Sequence, residues 1–202
     1  MRIYDSNTAP NPRRVRIFLA EKGIQVPYEQ VDIGNAVNRG DEFRKKNPMA
    51  TLPVLELDDG TCIAESVAIC RYFEELQPNP PLMGIDAKDR ALVEMWQRRM
   101  ELELLLPTAD AFRQRHEFFK GRILQVPEYA EVQKKNAESR LAWLNEVLAD
   151  RPFIAGERYT IADITALCAV DFGRVSKIKI QPDQTNLARW HEAVSSRPSA
   201  KA

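Results

Sequence analysis

Apolar residues recur along the chain at strand and helix spacings, and the breaks between them fall on proline, glycine and asparagine. Arg2 to Asp5 is a short strand-like run. SNTAPNP interrupts it before RRVRIFLAEKG, whose Val15, Phe18 and Leu19 supply one apolar helical face. Asn11 suits an N-cap and Pro12 the first helical position, while Lys22 and Gly23 close the helix. VPYEQVDI alternates as a second strand, completing a βαβ unit, and GNAVNRGDEFRKKNP is a polar loop with one turn of helix. TLPVLELDDGTCI holds two apolar runs joined across Asp59 and Gly60, the signal of a tight hairpin. Ser66 is placed to cap the helix VAICRYFEEL, in which Ile69, Cys70, Phe73 and Leu76 share a face before Pro78 stops it.

The proline-rich stretch QPNPPLMGID, from Gln77 to Asp86, is the expected linker and divides residues 1–80 from residues 87–202. Beyond it the pattern is helical throughout. One long helix is predicted from Ala87 to His116, with Leu92, Met95, Trp96 and Met100 at helical spacing and Pro107 kinking or breaking it. Pro127 opens another, in which Ala137, Leu141, Leu144 and Leu148 make a buried stripe. In YTIADITALCAV, Thr160 and Asp163 have the spacing of a capping box, and Tyr159 and Ile164 that of a hydrophobic staple. A last helix runs from Gln184 to Ser196 and carries Trp190.

Composition changes this picture little. At 202 residues, with 44% hydrophobic and 29% charged residues, the chain has material for two modest cores and is not a disordered sequence. Lys plus Arg equals Asp plus Glu at 29 each, so no global field draws nucleic acid or an anionic membrane. Cys62, Cys70 and Cys168 form no CxxC pair and no disulfide framework, which points to a reducing compartment, the cytoplasm by default. MRIYDS lacks the apolar region of a signal peptide, and no apolar run approaches the roughly 20 residues that span a bilayer. His116 and His191 stand far apart without ligand-spaced partners, so no metal site is expected.

The order of elements in the first half, the string TLPVLELDDGTCIAES, the proline-rich linker and the GERYTIADITA segment together resemble the cytosolic glutathione transferase family over nearly the whole chain. The resemblance is to a bacterial-type member. It implies an α/β thioredoxin-like N-terminal domain that binds glutathione, followed by an all-α C-terminal domain. It further implies a cis peptide before Pro53, with the backbone of Leu52 pairing to the cysteinyl part of glutathione, and Glu65 and Ser66 holding the γ-glutamyl end. A Ser hydroxyl and free amides at a helix N-terminus suit a carboxylate, and a Glu suits the ligand's ammonium. The ThrxxAsp pair, Thr160 and Asp163, corresponds to the family's folding cap and is a structural expectation. The second substrate is expected against the first helix of the C-terminal half, with Trp96, Arg99, Met100, Glu103 and Phe112 as candidates. A homodimer is implied as well.

The chemistry needs a group that turns a thiol of pKa about 8.5 into a thiolate at neutral pH. Family members use Tyr, Ser or Cys in the loop after the first strand, and here the position of the Ser or Cys falls on Ala9. Asn11, resembling relatives that use an Asn amide, is the first candidate for activating the thiol and Thr8 the second; plain N-capping is the competing role for Asn11. Tyr4, within the first strand, ranks below them. Arg13, Arg14 and Arg16 are expected on a solvated helix face, with Arg13, Lys45 and Lys46 as weaker candidates for ligand carboxylates. The implied activity is conjugation of glutathione, as co-substrate and without a metal, to small hydrophobic electrophiles, a detoxification chemistry. The alternatives are a glutathione-dependent reductase of disulfides or peroxides and a non-catalytic glutathione-binding or regulatory protein.

Overall fold

The computed structural model describes residues 1–202, which fall into two compact units, Met1–Leu82 with Lys201–Ala202 and Met83–Ala200. In the first, β1 (Arg2–Asp5), α1 (Pro10–Lys22), β2 (Tyr28–Gln30), α2 (Asp41–Lys46), β3 (Val54–Glu56), β4 (Cys62–Ala64) and α3 (Ser66–Leu76) follow one another. The four-stranded sheet has the order β2-β1-β3-β4, with β1 parallel to β2 and antiparallel to β3, and β3 antiparallel to β4. A parallel pair needs a crossover, which α1 supplies; an antiparallel pair can close through a short turn. That turn carries Gly60 at φ +86, a left-handed conformation glycine adopts without a Cβ penalty, and Asp59 accepts the Thr61 N–H at 2.9 Å.

The register sets the two faces of the sheet. Tyr4 lies opposite Val54 and Ile3 opposite Leu55, so alternation sends the two pairs to opposite sides. Tyr4 and Val54 cluster with Val31 and with Phe43 of α2, whose ring meets Tyr4 edge-on at 5.8 Å. Ile3 and Leu55 are fully buried, and α1 packs against α3. Gly23, at φ 65, ends α1, with the Ile24 N–H returning to the Leu19 carbonyl at 2.9 Å.

The start of α1 differs from expectation. The helix begins at Pro10, its N-cap is Ala9 with no side-chain hydrogen bond, and Asn11 sits inside the first turn. Proline's fixed φ is helical, so Pro10 and Pro12 are both accommodated where no intrahelical N–H is required. The arginines differ too: Arg14 is fully buried and Arg16 donates to Asp5 at 2.7 Å, leaving no purely solvated basic face. In α3, Ser66 is the first helical residue rather than the cap, Leu76 is exposed, and Glu74 is buried in its place against Lys22 at 2.7 Å.

The second unit is built from α4 (Ala87–Met100), α5 (Leu106–Arg113), α6 (Pro127–Val147), α7 (Ile161–Gly173) and α8 (Thr185–Ser195). A π-helical segment, Glu101–Leu105, joins α4 to α5 directly ahead of Pro107. Proline lacks an N–H and its ring collides with the carbonyl four residues back, and the wider turn absorbs this, so Pro107 neither ends the helix nor breaks it. Ile161 to Val170 are all buried, the signature of a central helix, and α4, α5 and α8 pack around α7. The apolar face of α4 is offset from the predicted one: Leu92 and Met95 are exposed, whereas Val93 and Gln97 are buried, Gln97 accepting the Thr165 hydroxyl at 2.6 Å. No helix is long and apolar enough to cross a membrane.

Thr160 and Asp163 form the predicted capping box at the start of α7, flanked by buried Tyr159 and Ile164. The fully buried Asp163 carboxylate also accepts the Ile154 N–H and the Trp190 indole N–H, each at 2.9 Å. Burial nonetheless holds its pKa above the ordinary value, against the lowering effect of those hydrogen bonds.

Candidate functional site

The Leu52–Pro53 peptide is cis. Since β3 begins at Val54, the backbone N–H and C=O of Leu52 take no part in the sheet ladder, while its half-buried side chain packs on the Tyr4, Phe43 and Val54 cluster. The approach to Leu52 is fixed by two asparagines that sequence reasoning missed. Buried Asn47 donates to the Thr51 carbonyl at 2.9 Å and accepts the Met49 N–H at 3.1 Å, and Asn38 donates to the Ala50 carbonyl at 2.6 Å. The Asn47-Pro48 pair was the available signal, because an Asn side chain can hold its own turn.

Across the hairpin, Glu65 is exposed and adopts φ 68, ψ 116, a conformation that a residue with a Cβ rarely takes. Strain of this kind persists only where the surroundings enforce it, and it concentrates at functional sites. Ser66 follows, buried at the first position of α3, and its Oγ accepts a hydrogen bond from Arg14 of α1 at 2.7 Å. The pair predicted to hold the γ-glutamyl end thus combines an exposed carboxylate with a hydroxyl at a helix N-terminus, where amides and the dipole favour an anion.

The loop before α1 is anchored at its root. Asp5 is fully buried, receives Arg16 at 2.7 Å and the Gln30 amide, and so ties β1, α1 and β2 together just before Ser6. Ser6 Oγ and Thr8 Oγ1 lie 3.3 Å apart, with Ser6 buried and Thr8 exposed. Among the first three helical residues, Pro10, Asn11 and Pro12, only Asn11 carries an N–H. Its backbone and side-chain amides are therefore the donors this helix end can offer. Tyr4 is already engaged, donating to Glu56 at 2.6 Å, and Lys46 donates to the same carboxylate at 2.8 Å. Lys45 is exposed and paired with Glu42 at 2.6 Å.

The second-substrate candidates are divided between the core and the surface of the helical unit. Met100 is fully buried and Trp96 nearly so, stacked on Trp143 at 5.7 Å with the Arg99 guanidinium 4.8 Å above it, so Met100 and Trp96 belong to the helical core. Glu103 is a surface residue paired with Arg140 at 2.8 Å. A cleft of about 320 Å³ in this unit is lined by the candidate Phe112 and by Ala111, His116, Ala130 and Lys134 among others, with Phe112 against His116 at 4.4 Å between ring centroids. A larger cleft of about 590 Å³ lies beside Arg2, Glu29, Glu56 and Asp58 and touches none of Leu52, Glu65 or Ser66. Its lining charges are mutually paired, as Arg2 is with Glu29 and Glu56.

The chain matches the family model described as Glutathione S-transferase, N-terminal domain over residues 8–76, and that described as Glutathione S-transferase, C-terminal domain over residues 105–198. Glutathione S-transferase 2 of Saccharomyces cerevisiae is 35% identical over 208 residues, covering 100% of this chain and 88% of that protein. The crystal structure of a glutathione S-transferase domain-containing protein from Marinobacter aquaeolei VT8 superimposes with a TM-score of 0.94 at 41% identity, covering 98% of this chain and 99% of that one. Elongation factor 1-gamma of Prunus avium is 30% identical over 171 residues, which are 85% of this chain and 39% of that protein. With both family models matched and a full-length relative at this identity, the chain belongs to the glutathione transferase family.

Proposed function

We propose that the protein binds glutathione through Glu65, Ser66 and the backbone of Leu52 and conjugates its thiol to small hydrophobic electrophiles. The observation that carries this reading is the buried Ser66 hydroxyl at the start of α3, directly after the strained Glu65 and on the hairpin that follows the cis Leu52–Pro53 peptide. The ligand's glutamyl carboxylate meets the Ser66 hydroxyl and the amides of the helix N-terminus, and its ammonium meets Glu65. The cysteinyl backbone pairs with Leu52, as the next strand of a sheet would.

Activation of the thiol falls to the loop and the first turn of α1. Asn11, with Thr8 second, donates to the sulfur as it loses its proton to solvent, and the helix dipole favours the resulting thiolate. The thiolate then attacks an electrophilic carbon. With a chloronitrobenzene the C–S bond forms, the C–Cl bond breaks and chloride leaves.

The same reading makes the protein a cytoplasmic homodimer. The exposed Leu92, Met95, Leu102 and Leu106 are an apolar face that a second copy would cover, and light scattering tests this.

One observation favours a second reading, a non-catalytic glutathione-binding protein: Ala9 at the N-cap offers no side-chain donor. The similarity to an elongation factor 1-gamma supports it too. Assays of chloronitrobenzene conjugation and of reduction of a small disulfide, run beside calorimetric titration with glutathione, separate the possibilities. Conjugation supports the transferase, disulfide reduction without conjugation a reductase, and binding without turnover the second reading; absence of binding contradicts all three.

A further inference from the structure

Arg14 stands apart from its neighbours in the basic run of α1. It is fully buried, on a helix whose buried face is otherwise mostly apolar, and its NH1 donates to Ser66 Oγ at 2.7 Å across 52 residues of sequence. A buried guanidinium is unfavourable compared with an apolar side chain of similar volume, so packing alone gives no reason for an arginine here.

We propose that Arg14 is a positioning residue of the glutathione site, which fixes the Ser66 hydroxyl as a hydrogen-bond donor to the ligand's glutamyl carboxylate. This inference rests on the assignment of Ser66 made above. A serine hydroxyl has one O–H and two acceptor lone pairs, and a guanidinium only donates. With one lone pair held by Arg14, the single O–H must point elsewhere, and the charge-assisted bond from Arg14 polarises it into a better donor. A hydroxyl without that partner would be free to turn its oxygen toward an incoming carboxylate, the repulsive orientation. The same bond holds Ser66 directly after Glu65 at φ 68, so it also secures the backbone from which α3 presents its N-terminus.

The test is a double-mutant cycle on the intact chain with wild type, Arg14→Met, Ser66→Ala and the doubly substituted protein, and with Arg14→Lys as the conservative variant. Each is titrated calorimetrically with glutathione and with the analogue whose glutamyl α-carboxylate is an amide, and each is melted thermally. Ser66→Ala and Arg14→Met should each weaken glutathione binding by about tenfold or more, the scale of one lost bond to a charged partner. The double variant should bind no more weakly than Ser66→Ala. Discrimination between glutathione and the amide should collapse in Arg14→Met and recover in part in Arg14→Lys, whose ammonium can still donate. Should Arg14→Met fail to fold, Arg14→Lys takes its place in the cycle, with a smaller effect that must again vanish when Ser66 is absent. Losses that multiply in the double variant, or undiminished discrimination in a folded Arg14 variant, would overturn the role of Arg14 while leaving the Ser66 assignment intact. If Ser66→Ala itself binds glutathione normally, the site assignment fails and this inference with it.

Discussion

Trp190 donates its indole N–H to Asp163 at 2.9 Å, which joins α8 to the first turn of α7 through a carboxylate that also caps that turn. Replacing Asp163 with Ala removes the cap and strands buried donors on Thr160, Ile154 and Trp190. The expected loss is about 2–4 kcal/mol, a lost cap plus buried groups left unpaired. Glutathione affinity of the folded fraction should stay within about twofold, a free-energy change smaller than one hydrogen bond. Thermal melts and calorimetry must diverge; a fall in binding with an unchanged melting temperature would make Asp163 part of the site.

Lys22 is the hub of the C-terminal end of α1. Its fully buried ammonium meets Glu74 at 2.7 Å, the Gln77 carbonyl at 2.7 Å and the Pro80 carbonyl at 2.8 Å. Lys22→Met should destabilise the protein by about 3–5 kcal/mol, because the buried Glu74 carboxylate loses the ammonium that meets it at 2.7 Å. Adding Glu74→Leu should recover part of that loss, since an apolar pair of similar volume replaces an ion pair at modest net cost. Denaturant midpoints of the three proteins check this, and a double variant as unstable as the sum of its parts would contradict it.

The Glu56 carboxylate is held below its ordinary value of 4.5 first by the hydrogen bond from Lys46, then by that from Tyr4. A carboxylate with a depressed folded pKa stabilises the native state above its unfolded pKa, and that contribution disappears as pH falls through the folded value. Stability should therefore drop in the wild type as pH falls below the ordinary carboxylate value of 4.5, and less steeply in Glu56→Gln. Equal slopes in the two proteins would show that the Lys46, Tyr4 and Arg2 contacts do not control the charge of Glu56.

Much of the architecture was legible because local chemistry marks it. Asp59-Gly60 set the hairpin, Gly23 the end of α1, Pro127 the start of α6, and the Thr160 and Asp163 spacing the start of α7. The misplaced charged and polar residues share a cause, a partner distant in sequence. Arg14 and Arg16 looked solvent-facing because nothing near them shows Ser66 or Asp5 waiting in the fold. Gln97 is buried because Thr165 meets it, and Glu74 because Lys22 does, so both escaped a search for apolar periodicity. Asn11 has the chemistry of a cap, but Pro10 ahead of it suits the first helical position equally well, and the helix begins there. The proposal of Leu52, Glu65 and Ser66 rests on family resemblance joined to the chemistry of a helix N-terminus, whereas the contacts of Arg14, Asn47 and Asn38 emerge only in three dimensions. Trp96 and Met100 show the ambiguity of large apolar residues on a helix, where pocket and core have the same spacing.

The central claim is that this site binds glutathione and makes its thiol reactive at neutral pH. The most direct measurement is the ultraviolet absorbance of the bound thiolate followed against pH in wild type, Asn11→Ala and Thr8→Ala, with Ala9→Ser as a probe of the position that carries the donor in relatives. The account predicts a wild-type midpoint at least about one unit below the ordinary thiol value of about 8.5. It further predicts an upward shift in Asn11→Ala, or in Thr8→Ala if the second donor is the one that acts. A bound thiol that titrates in the wild type where free glutathione does would contradict the claim and leave a binding protein without thiol activation.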